Sequence, residues 1–208
     1  MIKQFPSLQF QMVELFQEVK PIFTVPEIET ERLRLRRFTP NDFDALFHIL
    51  SNPQVTKFFG EGDTPSKEET FSLLNKYIDL YWQEYQLGKW ALIYRESDEL
   101  IGFCGYTMLR KTPEMAYLIA REFWGMGLAT EAAYASLRYG FDIMNVELVN
   151  AYTRPDNTAS QRVLEKIGMK YETVEALYGY VFDKFSIARA DFQINDSKFS
   201  IRRAPETR

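Results

Sequence analysis

Apolar residues recur at helical spacing through Leu8, Met12, Leu15, Phe16 and Val19, between Pro6 and Pro21. This predicts an amphipathic N-terminal helix, whose apolar stripe must be buried against something. The segment Pro26–Glu29 reads as a connector. From Arg32 to Phe38 the period drops to two: "RLRLRRF" alternates basic and apolar residues, as a half-buried strand does with its arginines on the solvated face. In "FTPNDFDALFHIL", Thr39 can cap, Pro40 suits the first helical position and Asp42 places negative charge near the positive helix end. A first core helix begins there. "GEGDTP" is a loop, and Ser66 and Glu69 stand at capping-box spacing before Phe71, Leu74, Tyr77, Ile78, Tyr81 and Trp82. That pattern predicts a long second helix ending at Gly88.

Three strand-like runs follow, "KWALIYR", "LIGFCGYTML" and "EMAYLIA", separated by the turn-forming "ESDE" and "RKTP". They predict an antiparallel meander. The order then becomes a small-residue loop and helix from Gly125, a strand "VELVNAYT", a helix "NTASQRVLEKIG" and two strand candidates within Met169 to Asp191. Such mixing predicts an α/β fold with no internal repeat. The tail "INDSKFSIRRAPETR" reads as a loose end or a late-packed strand.

The 208 residues suit one main domain, and 46% hydrophobic with 15% aromatic content is that of a folded chain. A formal charge of -4 and a pI near 5.3 argue against a nucleic-acid surface and favour tolerance of cationic substrates. Cys104 is the single cysteine, so no intramolecular disulfide can form, and no Cys/His cluster offers a metal site. A reducing, cytoplasmic setting is expected. The N terminus lacks a signal-peptide core and no apolar run approaches about 18 residues, so neither secretion nor a membrane span is expected.

"AREFWGMGLATEAAYASLRYG", Ala120 to Gly140, carries the clearest chemical signal. Gly125, Gly127 and Ala129 precede an alanine-rich helical pattern. A helix start exposes unpartnered N–H groups and a partial positive charge, and small residues let an anion approach the backbone. Alternatively, Gly127, Ala129, Ala132, Ala133 and Ala135 let a helix pack tightly on a sheet. No Lys-Ser/Thr pair follows the glycines, as a Walker loop requires, and Thr130 fills the third small position of a dinucleotide fingerprint.

"FWGMGLATEA" followed by "NTASQRVLEKIGM" resembles the paired acetyl-CoA signatures of the GNAT N-acetyltransferases, nearest their RimJ/RimL-like branch. "IETERLRLRRFTPNDFDALFHIL", "KWALIYRESDELIGFCGY" and "DKFSIARADF" extend the resemblance over roughly Ile28 to Phe192. It implies a domain at 28–192, preceded by an extension at 1–27 and followed by a polar tail at 193–208. The implied fold is a twisted mixed sheet of about seven strands flanked by about four helices, with acetyl-CoA where two parallel neighbours splay apart. Gly125, Met126, Gly127, Leu128, Ala129 and Thr130 would present N–H groups to the pyrophosphate. Two positions depart from the family pattern: Trp124 stands where Arg or Gln usually opens the loop, and Leu164 where many members carry a tyrosine that protonates the thiolate.

The implied reaction is direct attack of a neutral amine on the acetyl thioester, in a ternary complex. It requires a group that takes a proton, one that polarises a carbonyl and one that accommodates a thiolate. Backbone groups of Leu118, Ile119 and Ala120 would hold the thioester carbonyl and pantetheine arm, on what also reads as an ordinary core strand. Ser160 would donate a hydrogen bond to the thiolate, since serine is a poor acid, or is simply a first-turn polar residue. Asn157 would cap its helix and bind cofactor. Glu114 is the candidate base, with proton removal through one water as its rival. His48 lies in the first helix pattern and Cys104 in an apolar strand, both read as structural. The acceptor site would draw on "FFGEGDTPS", the start of the second helix, Trp90 and Tyr106, although aromatics also build cores. A protein N-terminal α-amino group or a small amine is the expected acceptor, and no nucleic acid or membrane partner is expected. The N-terminal helix would shape the acceptor cleft, pack on the sheet or mediate a homodimer. A non-catalytic acyl-CoA sensor or interaction module is the alternative reading.

Overall fold

A computed structural model describes residues 27–80, 82, 87–194 and 202–203. The expected N-terminal helix therefore lies outside the described residues. The strands are β1 (Ile28–Glu29), β2 (Leu33–Arg36), β3 (Lys89–Tyr94), β4 (Glu99–Leu109), β5 (Thr112–Ile119), β6 (Leu148–Thr153), β7 (Lys170–Leu177), β8 (Tyr180–Ala188) and β9 (Arg202–Arg203). The α-helices are α1 (Phe43–Leu50), α2 (Pro53–Thr56), α3 (Lys67–Asn75), α4 (Leu128–Asp142) and α5 (Thr158–Lys166).

One nine-stranded sheet has the order β7-β8-β6-β5-β4-β3-β2-β1-β9. Every neighbouring pair is antiparallel except β5 and β6. The seven strands β2 to β8 are the expected set. The two-residue β1 and β9 extend the edge, so the expected connector contains a strand, and Arg202–Arg203 of the tail pairs with it.

The apolar residues of the sheet divide between its faces. Trp90, Leu92, Ile101, Cys104, Tyr106, Met115 and Ile119 join one core with α4 and α5. Ala91, Ile93, Phe103 and Leu118 join another with Leu46, Ile49 and Leu50 of α1 and Leu74 of α3. Alternation of side chains across each strand produces this division.

Two local expectations change in detail. α3 starts with the Ser66–Glu69 capping box, but after Asn75 it widens into a π-helical turn, Lys76–Leu80, instead of continuing as an α-helix. The arginines of β2 alternate with buried Leu33 and Leu35, yet they are not simply solvated. Arg36 is half-buried and forked onto the buried Asp42 carboxylate at 2.7 and 2.8 Å. That carboxylate also accepts the Thr39 N–H at 2.7 Å, so Asp42 ties the helix entry to the strand before it.

Candidate active site

The β5–β6 pair is the site's framework. These parallel neighbours share one bridge, Glu114 to Asn150, and then separate, leaving an opening between residues 115–119 and 151–153. Beyond β5 the chain makes a short 3₁₀ turn, Arg121–Phe123, and enters α4 through the glycine loop. Gly125 and Gly127 have φ of 78° and 79°, a left-handed conformation that costs an L-residue roughly 1–2 kcal/mol. A Cβ at Gly125 would meet nothing within 4 Å, and one at Gly127 only the Arg32 guanidinium at 3.6 Å. The glycines therefore serve backbone conformation and an open surface, not close packing. The first helical bond runs from Glu131 N–H to Gly127 O, so Leu128, Ala129 and Thr130 have N–H groups without an intrahelical acceptor.

Glu131 braces this loop. Its side chain is 2% exposed and accepts bonds from the Thr30 hydroxyl at 2.6 Å, the Arg32 N–H at 2.9 Å and Arg32 Nε at 2.8 Å. Arg32 also donates to the carbonyl of Met126 at 2.7 Å, so one ion pair fixes both the loop and the first turn of α4. Trp124 is 45% exposed and ties the loop to β5: its indole donates to the Ile119 carbonyl at 2.7 Å, and Arg121 lies 4.8 Å over its ring.

That anchor changes the expected backbone contacts. The Ile119 carbonyl is occupied by Trp124, the Ala120 N–H donates to Ile101 O at 2.7 Å, and the Ala120 carbonyl accepts from Phe123. The Ala120 N–H is thus committed within the fold, while its carbonyl oxygen, which can accept two bonds, takes one from Phe123. Leu118 pairs with Phe103, and ladder alternation turns its main-chain groups toward β4. Tyr117 and the Ile119 N–H face the β5–β6 opening instead.

Tyr117 is the site residue that sequence reading missed. From β5 its hydroxyl reaches α5, 2.9 Å from Ser160 Oγ and 3.1 Å from the Ser160 carbonyl oxygen. Burial pushes its phenol upward, outweighing the Ser160 hydrogen bond, so the group stays protonated. Asn157 caps α5 by accepting the Ser160 N–H at 3.2 Å, which holds the serine at the helix start. Leu164 is buried one turn later.

Glu114 lies on the opposite side of the sheet, half-buried, where its carboxylate bonds Thr107. Burial raises its pKa, while Lys89 and Thr107 oppose the rise. His48 is exposed on α1 and lines a cavity of about 400 Å³ with Ile49, Asn52, Val55, Ala120 and Arg121. Cys104 is buried against Ser136, its thiol pushed up to about 11 by burial. Trp90 and Tyr106 are fully buried on the α4 side, and the Tyr106 hydroxyl donates to Ser136 O. They therefore build core and form no acceptor wall. Phe59, from the expected acceptor loop, instead packs on Phe103 at 5.7 Å. Among the described residues no group of three or more His, Cys, Asp or Glu could hold a metal ion, and no helix is long and apolar enough to cross a membrane.

The chain thus places a glycine-opened helix beside two diverging parallel strands, and the comparisons give the family with that arrangement. The Acetyltransferase (GNAT) domain model matches residues 32–170. The chain is 35% identical to the uncharacterized N-acetyltransferase YoaA of Bacillus subtilis over 158 residues, 74% of this chain and 89% of that protein. The structure resembles a GNAT-family acetyltransferase from Bacillus anthracis with a TM-score of 0.69 and 28% identity, covering 79% and 99% of the two chains. RimL, a ribosomal L7/L12 α-N-protein acetyltransferase solved with coenzyme A, shares the fold at a TM-score of 0.67 and 18% identity, covering 77% and 98%. The chain belongs to the GNAT acetyltransferase family and is an N-acetyltransferase.

Proposed function

We propose that this protein transfers an acetyl group from acetyl-CoA to a primary amine, either a protein N-terminal α-amino group or a small amine, in a ternary complex. The observation that carries this reading is the single bridge between β5 and β6, opening toward a helix start that two left-handed glycines keep free of side chains. The loop fits a diphosphate: three first-turn N–H groups lack intrahelical acceptors, and among the described residues nothing lies within 4 Å of a Cβ placed on Gly125. Acetyl-CoA supplies an activated thioester.

The protein's own groups divide the remaining work. The Ile119 N–H and the main-chain groups of Tyr117 orient the pantetheine arm in the opening. Glu114 takes the proton of the acceptor ammonium, directly or through one water, so that the amine attacks as a neutral nucleophile. Ser160 donates a hydrogen bond to the sulfur as the carbon–sulfur bond breaks. Tyr117 frees it to do so: when the single phenolic proton points at Ser160 Oγ, the serine proton is released to point into the opening. This supplies the donor that Leu164 cannot.

The test is acetyl-CoA-dependent thiol release across short peptides with free N termini, polyamines, aminoglycosides and amino acids, beside calorimetric titration with coenzyme A. Release with one acceptor class is expected. Coenzyme A binding without release from any amine would favour a non-catalytic acyl-CoA sensor, and no binding would sink the loop assignment.

A further inference from the structure

Lys89 is the one charged residue of β3, 2% exposed, and nothing in the transfer chemistry above uses it. Its ammonium donates to the main-chain carbonyls of Gly105 at 3.0 Å and Ala116 at 3.4 Å. Both bonds run along one row of the sheet, because Lys89 pairs with Gly105 and Gly105 with Ala116. The crossing is close: a Cβ at Gly105 would lie 2.1 Å from the Gly88 carbonyl oxygen. Lys89 is thus locked across three strands, with its Nζ 6.0 Å from the Phe103 ring.

Burying an ammonium costs several kcal/mol unless a counter-charge and hydrogen bonds offset it. Two carbonyls take two of its three protons. The counter-charge lies one row along on the same face, where Glu114 pairs with Thr107 across one edge of β5 and with Asn150 across the other. Glu114 is two residues, roughly 7 Å, along β5 from the Ala116 carbonyl that Lys89 holds. Burial lowers Lys89 to about 8, while Glu114 and Cys104 hold it up. From β6, Tyr152 also feels Glu114, and it is flanked by Glu175, Lys184 and Arg110. Among the described side chains, Tyr77 of the π-helical turn and Phe59 of loop 57–66 pack on Phe103 at 5.1 and 5.7 Å.

We propose that Lys89 is a positioning residue for Glu114: fixed on the carbonyls of Gly105 and Ala116, its ammonium keeps the Glu114 carboxylate ionised at the base of the β5–β6 opening. That face then presents an ionised carboxylate to a cationic amine. The origin of the proton Glu114 receives rests on the transfer reading above, whereas the Lys89–Glu114 coupling does not.

Carbon-13 NMR titration of the Glu114 carboxyl and the Lys89 ε-carbon tests the coupling without any acceptor. In Lys89→Met the Glu114 midpoint rises by about one pH unit, because the cation that favoured the carboxylate is gone. In Glu114→Gln the Lys89 midpoint falls below its wild-type value by a similar amount, since coupling between two sites is reciprocal. The second variant keeps the shape of a half-buried side chain, so it decides the matter even if Lys89→Met fails to fold. A Lys89 midpoint unmoved in Glu114→Gln overturns the proposal. With an acceptor in hand, the acidic limb of kcat/KM moves up in Lys89→Met while coenzyme A affinity holds; a limb that stays put overturns the positioning role. Failure of the wild-type protein to bind coenzyme A sinks the transfer reading instead, and the two midpoints still decide the coupling.

Discussion

Met115, Tyr117 and Ile119 of β5 pack toward α4 and α5, whereas Glu114, Ala116 and Leu118, one position out of phase, face α1 and α3. The polar groups that meet between β5 and α5 on the first side are neutral: the Tyr117 phenol, the Ser160 hydroxyl and the Asn157 amide. Those on the second are ionisable, Lys89 and Glu114. Burial acts on both sides with opposite uses. It keeps the proton on Tyr117, so the phenol serves as a hydrogen-bond donor, and it raises Glu114 while Lys89 opposes the rise, which suits a carboxylate that takes up a proton. A departing thiolate needs a donor that does not itself ionise, while an incoming ammonium needs a group that does. In the proposed reaction one strand would supply both, because its side chains alternate.

The sharpest way to break that division is at the glycine loop, which should fail on the cofactor side alone. Gly127→Glu adds left-handed strain and a negative charge at the anion site, and is expected to weaken coenzyme A binding about 100-fold or more by calorimetry. The Lys89 and Glu114 midpoints should be untouched, and a coenzyme A affinity like wild type would refute the loop assignment. Glu131→Ala removes the brace beneath the loop. With Arg32 38% exposed and able to rehydrate, about 2 kcal/mol of stability should be lost in urea titration, with looser coenzyme A binding. No loss would make the ion pair ornamental.

A smaller effect sharpens the comparison from the neutral side. Tyr117→Phe keeps the ring and deletes the hydroxyl, so kcat should fall about tenfold with the KM for acetyl-CoA little changed. Ser160→Ala in that background should cost less than it does alone, because the two hydroxyls act as a unit. Additive losses would show that Tyr117 only packs.

Local spacing makes much of the fold legible in the sequence. The Ser66–Glu69 box, the Pro40 helix entry, the three-strand meander and the Asn157 cap each depend on residues within a few positions of one another, and each is present. The glycine loop was legible for the same reason. The π-helical turn after Asn75 was not, because apolar residues spaced for an α-helix also suit a widened turn. Trp90 and Tyr106, open from the sequence to either an acceptor wall or core packing, are core, since an aromatic residue reads alike whichever face of the sheet it occupies.

The sequence by itself determined the main helices and the strands β2 to β8, their order and the small-residue helix start, all of which follow from periodicity and capping within one turn or one strand. Only the tertiary structure decided which groups meet. Tyr117 reaches Ser160 across 43 residues and Arg32 reaches Glu131 across 99, while Lys89 finds Ala116 27 residues away. Those separations are bridged by strand order and register, so the chemistry of this site is a property of how the sheet is assembled, which no local pattern encodes.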